Sequence, residues 1–162
     1  TRWLVIGPFP CDSIDPDMLG GEAAARPRAG DQAGGRTWKI CQSTAVLNFE
    51  DPEVFDASDD ADCYAAAYVW APAAMPARLL TGSDDGIKIW VNGRCVLRNP
   101  TPRGLVVDQD RVNMRLEKGW NLLLFKVQDY GGQWNLTARL TDRSGRPLAG
   151  LKAAYEPTEA AR

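Results

Sequence analysis

The chain has 162 residues, 19 Lys and Arg against 21 Asp and Glu, a net charge of −2 and no histidine. That length suits one domain with a sizeable core, and the near-neutral balance excludes the broad basic footprint of a nucleic-acid binder. Without histidine, the usual general base, the usual partner of a Ser or Cys nucleophile and the commonest zinc ligand are missing. The chain therefore reads as a non-enzyme.

Strand patterns recur along the chain and amphipathic helices do not, which predicts an all-β fold. The opening "RWLVIG" is a short strand candidate. Residues 10–37, rich in Gly, Ala, Arg and Asp, have no periodicity, and a loop of that length in a small domain is usually functional or disordered. "WKICQ" and "AVLNF" follow as short strands, with Trp38 placed to project from the end of the fold.

"CYAAAYVW" sets Tyr64, Ala66, Tyr68 and Trp70 on one face and Ala65, Ala67 and Val69 on the other. The aromatic row suggests sugar stacking, but large side chains opposite small ones also let two sheets interdigitate, and that is the cheaper expectation. The weakly polar run 65–75 is broken by Pro72 and is too short to cross a bilayer.

"SDDGIKIWVNG", residues 83–93, holds the densest signal. Asn92-Gly93 is a strong type I′ hairpin signature, since both positions need positive φ. A two-residue turn sets Val91 opposite Arg94, Trp90 opposite Cys95 and Ile89 opposite Val96. Ile87, Ile89, Val91 and Val96 then face the core, and Trp90 either lies under a loop or stands open as a platform. Asp84-Asp85-Gly86 reads first as a structural turn. Calcium would need six to eight oxygens, of which the two carboxylates supply a part.

Residues 99–109 form a second aperiodic excursion. Arg94, Arg98 and Arg103 cluster in and after the hairpin, where guanidiniums can grip carboxylates or sugar hydroxyls. Asp108 and Asp110, two apart on an extended segment, would lie roughly 6.5–7 Å from each other. Glycosidases use such a pair, although a solvated rim explains it more simply.

"RVNMRLE" alternates as a half-exposed strand, and "WNLLLFKVQ" after the "EKG" turn is apolar on both faces, as a central strand would be. The two are expected to pair. Tyr130-Gly131-Gly132 turns the chain into "QWNLTARLT", with Trp134, Leu136, Ala138 and Leu140 inward. Trp3, Trp120 and Trp134 lie in regular strand patterns and are expected in the core. Cys11, Cys41, Cys63 and Cys95 form no CxxC pair and could be free thiols or disulfides in an oxidising compartment. The start at Thr1 and the ending "AAYEPTEAAR" read as a processed module, with a domain at 1–150 and a tail or linker at 151–162.

"SDDGIKIWVNGRCVL", "DQDRVNMRLEKGWNLLLFKV", "GGQWNLTARLTD" and the opening "WLVIGPFP" together resemble a β-sandwich module of large secreted bacterial proteins. They are similar to lectin-like domains of the anthrax protective-antigen type and, more loosely, to galactose-binding-like carbohydrate-binding modules. The resemblance implies a jelly-roll sandwich in an extracytoplasmic setting. It also implies calcium held by adjacent aspartates, here Asp84 and Asp85.

The expected function is therefore a non-catalytic carbohydrate-binding module of a larger carbohydrate-active enzyme. Its glycan or polysaccharide would be held by Trp38, Trp90, Arg98, Arg103 and Tyr130, with no nucleic-acid or membrane partner. The alternative is a structural domain that packs against a neighbouring domain of the parent protein.

Overall fold

In a computed structural model of the chain, residues 1–10, 12–55 and 59–157 are described. The doubly apolar run after the "EKG" turn is β11 (Gly119–Asp129), and every side chain from Asn121 to Asp129 is buried. A strand dry on both faces needs a neighbour at each edge and a cover on each side. At its edges are β6 (Ala61–Ala71) and β8 (Ile87–Val91).

The larger antiparallel sheet continues outward from these strands. Its order is β4 (Lys39–Gln42), β1 (Arg2–Pro10), β6, β11, β8 and β9 (Arg94–Asn99). Facing it is a smaller antiparallel sheet of β10 (Asp110–Leu116), β7 (Met75–Asp84), β12 (Asn135–Thr141) and β5 (Leu47–Asn48), in that order. A separate hairpin joins β2 (Gln32–Ala33) to β3 (Arg36–Thr37). The chain is thus an all-β sandwich, as its alternating patterns predict.

Three expectations are corrected by the topology. β10 pairs with β7 and not with β11, because the "EKG" turn carries the chain from the edge of one sheet to the centre of the other. The segment read as a tail supplies β13 (Lys152–Ala154), which lies on β6 from Trp70 to Tyr68, beyond the reach of β1. In the Asn92-Gly93 hairpin both turn residues do take positive φ, and Val91 opposes Arg94 and Trp90 opposes Cys95. A bulge then sets Ile89 against Leu97 instead of Val96. Gly93 is also needed for space, since a Cβ there would stand 2.2 Å from the Ala23 carbonyl oxygen.

The inter-sheet core takes the small row of β6, Ala65, Ala67, Val69 and Ala71, together with Leu79, Ile89, Phe125 and Trp134. The aromatic row does not interdigitate with the second sheet. Tyr64 and Tyr68 point to the opposite face of the large sheet, with Leu4, Ile6, Leu122 and Leu124. There residues 12–38, which include a 3₁₀ turn at Glu22–Ala24, lie over them. Small side chains go where another sheet packs close, and large ones go where an irregular segment leaves room. Trp3 and Trp134 are buried as expected, and Trp120 is half-buried.

Charge lies at the centre of this covered face. The Lys126 side chain is fully buried, its Nζ 3.0 Å from the Asp62 carboxylate and 3.8 Å from that of Glu22. It donates to the Pro16 carbonyl at 2.6 Å and sits over the Tyr64 ring. The Tyr64 hydroxyl donates to Glu22 at 2.6 Å and accepts from the Met18 amide. Tyr68 donates to the Pro27 carbonyl, and Lys88 completes the pairing of Glu22 at 3.4 Å. Burial, with the Glu22 hydrogen bond next, pushes the Tyr64 hydroxyl far above its usual titration range. The covering segment is therefore part of the fold.

Cys63 is buried, Cys41 half-buried and Cys95 exposed, all as free thiols. Cys11 lies outside the described residues.

Removing one member of a buried ion pair strands the other, at a cost of about 3–5 kcal/mol. Lys126→Met is expected to lose stability of that order in urea unfolding. Lys126→Met/Asp62→Leu should recover much of it, because Asp62 is then not left buried without its ammonium, and Glu22 keeps Lys88 and the Tyr64 hydroxyl as partners. Equal losses in the two variants would show that packing, not pairing, sets the cost.

Candidate functional site

Three of the sequence-selected elements meet at one end of the sandwich: the Asp84-Asp85 turn between β7 and β8, the 99–109 loop and the Tyr130 turn after β11. Asp85, 6% exposed, holds them together. Its Oδ1 accepts from the Arg103 amide at 2.7 Å and its Oδ2 from the Tyr130 amide at 2.9 Å. Its own amide donates to the Gln128 carbonyl, and its carbonyl accepts from the Ser83 hydroxyl at 2.6 Å. The peptide bond between Asp84 and Asp85 is cis.

Arg103 is largely withdrawn from solvent. Its guanidinium turns inward to make two bonds with Asp110 and one of 2.8 Å with Ser83, so it braces the loop instead of offering a free cation. Asp108, at positive φ, pairs with Arg139. Asp108 and Asp110 are thus each taken up by a different arginine, and positive φ at Asp108 departs from the extended backbone on which the spacing estimate relied. Gly82 lets the same loop settle on the small sheet, since a Cβ there would stand 2.1 Å from the Val106 carbonyl oxygen.

The two tryptophans assigned to ligand stacking are not open. Trp38 and Trp90 are each 4% exposed, sealed on the covered face of the large sheet, where Lys88 lies over the Trp90 ring at 4.9 Å. Of the two placements open to Trp90, the structure takes the one under a loop, with 12–38 folded across it, and its assignment to ligand stacking, like that of Trp38, is corrected.

Tyr130 stands at the surface, 38% exposed. Its amide is held by Asp85, and its hydroxyl donates to the Pro100 carbonyl at 3.2 Å. Beside it Arg98 makes a two-pronged pair with Asp15, at 2.7 and 2.6 Å. Both partners are about half exposed. The hydrogen bond to Asp15 is the main cause that raises the Arg98 pKa, and Tyr130 is near enough to add to it. Neither Asp15 nor its pairing could be read from the sequence, since residues 10–37 carry no periodic pattern that would place them.

Asp129, 2% exposed, joins the two aspartates from the other side. Burial pushes its carboxyl up to about 6, opposed by the Gly131 amide and reinforced by the charges of Asp85, Asp59 and Glu50. Asp84 is also raised, chiefly by burial. A calcium shell needs six to eight oxygens. Both carboxylate oxygens of Asp85 already accept backbone amides, and among the described residues no three His, Cys, Asp or Glu side chains converge on a metal position. The arrangement does not fit the calcium site that the resemblance implies.

No family model matches the chain, and no curated protein matches it. Among solved structures it is similar to an anti-sigma factor domain-containing protein, with TM-score 0.55 and 11% identity over 92% of this chain and 48% of that one. It is similar also to an anti-sigma factor domain-containing protein from Clostridium clariflavum, with TM-score 0.53 and 11% identity over 98% of this chain and 46% of that one. The PA14 domain of the MpAFP antifreeze protein aligns with TM-score 0.44 and 18% identity, over 52% of this chain and 45% of that one. The chain spans less than half the length of each of these, and at such identities the likeness is one of fold.

Two tests follow from the geometry of this end. Asp85→Asn replaces an acceptor with a donor that faces a backbone N–H, so it should cost about 1–3 kcal/mol and speed hydrogen exchange at the Arg103 and Tyr130 amides. For Asp129 the folded pKa lies above the ordinary value of 3.8. The native state then binds the extra proton, and this carboxyl's contribution to stability falls as pH rises from about 4 to about 6. Asp129→Asn should remove that slope from the melting temperature measured against pH, and an unchanged slope would assign the titration to another group.

Proposed function

We propose that the chain is a non-catalytic carbohydrate-binding module of jelly-roll type, galactose-binding-like in its general plan. It would serve a larger extracytoplasmic enzyme or surface protein by holding it on a glycan. The observation that carries this reading is Tyr130. Among the described residues it is the one aromatic side chain more than a third exposed, and it is fixed at both its backbone and its hydroxyl.

A ring immobilised before the ligand arrives loses little entropy on binding. The C–H face of a sugar can pack on it while the exposed Arg98–Asp15 pair supplies donors and acceptors to hydroxyls. The sequence resemblance to protective-antigen-type lectin-like domains supports the same ligand class. So does the lack of histidine, which leaves a binding role better served than a catalytic one.

A second reading, a structural domain packed on a neighbour in the parent protein, is favoured by a different observation. Val46, Val106 and Val107 are 39%, 59% and 62% exposed. Val46 and Val107, with Leu80, line a recess of about 230 Å3 over the outer face of the small sheet. Exposed apolar clusters of this kind mark contact surfaces.

A glycan array followed by affinity gels on the best hit separates the two readings. Tyr130→Ala should weaken binding at least ten-fold without lowering the melting temperature, whereas Trp90→Ala should lower the melting temperature because it empties a packed site. Binding should survive a chelator. Absence of binding to any glycan at millimolar concentration would leave the structural reading standing.

A further inference from the structure

Along one side of the sandwich the two sheets end in strands with a neighbour on one edge alone: β9 has β8, and β10 has β7. Between them runs a cleft of about 550 Å3, inside the roughly 300–1,000 Å3 range of ligand sites. Val96, Val112 and Met114 give it an apolar part, and Arg94, Asn113 and Arg115 also line it, the last two from the outward side of β10.

Buried Asn121 sets the spacing of the walls at one end. Its Oδ1 accepts from Asn92 Nδ2 at 2.8 Å on the hairpin side and from the Glu117 amide at 2.9 Å on the β10 side, and its Nδ2 returns a bond to the Glu117 carbonyl. The opening is therefore built into the fold.

The charge of this cleft is unbalanced. Arg98, Arg103 and Arg139 each pair with an aspartate, but among the described residues Arg94 and Arg115 form no ion pair, and both are exposed. Asn113 has its carbonyl oxygen occupied by Arg78, which leaves its amide N–H groups for a ligand. Glu117, at the Asn121 end, is the lining's one carboxylate.

Building on the carbohydrate reading above, we infer that this cleft binds an extended polysaccharide bearing carboxylates, of the uronate type. Each guanidinium accepts a carboxylate through two parallel N–H bonds, the apolar part takes the C–H faces of the rings, and Asn113 donates to a hydroxyl. An acidic peptide would match the same charge but would bind an open edge by adding a strand. The β9 edge is interrupted by a bulge, and the outward positions of β10 are Arg111, Asn113 and Arg115. Both devices oppose strand addition. Side-chain recognition is left as the way to use the cleft.

The test is affinity electrophoresis in gels containing polygalacturonate or neutral hydroxyethylcellulose, together with the glycan-array hit, at low and physiological salt. Wild type is compared with Arg94→Ala/Arg115→Ala, Tyr130→Ala and the exposed control Arg143→Ala, each checked by thermal melting. Polygalacturonate should retard wild type and Arg143→Ala alike, and the double variant should bind it at least ten-fold more weakly with its melting temperature unchanged.

Equal retardation of the double variant, no retardation of wild type, or capture of polyglutamate in preference to polygalacturonate would overturn the inference. If a neutral glycan binds through Tyr130 while polygalacturonate does not bind, the cleft assignment fails and the proposed function stands. If no glycan of either kind binds, both fail.

Discussion

The structure turns on an ammonium group that has no access to water. Lys126 projects from the middle of the central strand with its side chain fully buried, and an unpaired charge in that position would cost several kcal/mol. Asp62 meets it from the neighbouring strand, and the 12–38 segment brings a carbonyl from Pro16 and a carboxylate from Glu22. An aperiodic stretch thereby gains a defined path, because the polar partners it carries are needed at particular points above the sheet. Tyr64 and Tyr68 extend the attachment by bonding to Glu22 and Pro27.

That covering decides which surfaces remain for a ligand. It takes Trp38 and Trp90 out of reach and leaves the loop end and the cleft side of the sandwich. At the loop end one carboxylate, Asp85, satisfies amides from two separate loops, which fixes the backbone at Arg103 and Tyr130. On the cleft side Asn121 performs the equivalent task for the walls that carry Arg94 and Arg115. In both places a buried polar side chain fixes the backbone on which the exposed side chains stand.

The acidic end illustrates how burial and mutual charge act together. Asp84 and Asp129 are raised chiefly because they are buried, with Asp85 adding to each. The Asp-Asp turn behaves here as a backbone anchor, which was the simpler reading of the motif. Its neighbours carry the electrostatic tension that results from packing acidic groups under two loops.

Much of the sandwich was legible from the sequence. Alternation along "RVNMRLE" located a half-exposed strand, the continuous run "WNLLLFKVQ" located a doubly covered one, and Asn92-Gly93 located a hairpin, because each depends on local geometry with a period of two or on positive φ. A lysine inside a doubly covered run also signals that a counter-charge must lie nearby. The identity of that counter-charge, the assignment of β10 and β11 to different sheets, and the sealing of Trp38 and Trp90 were settled by the tertiary structure alone. Each of these depends on contacts between residues far apart in the chain, and in 12–38 nothing periodic records where the segment will lie.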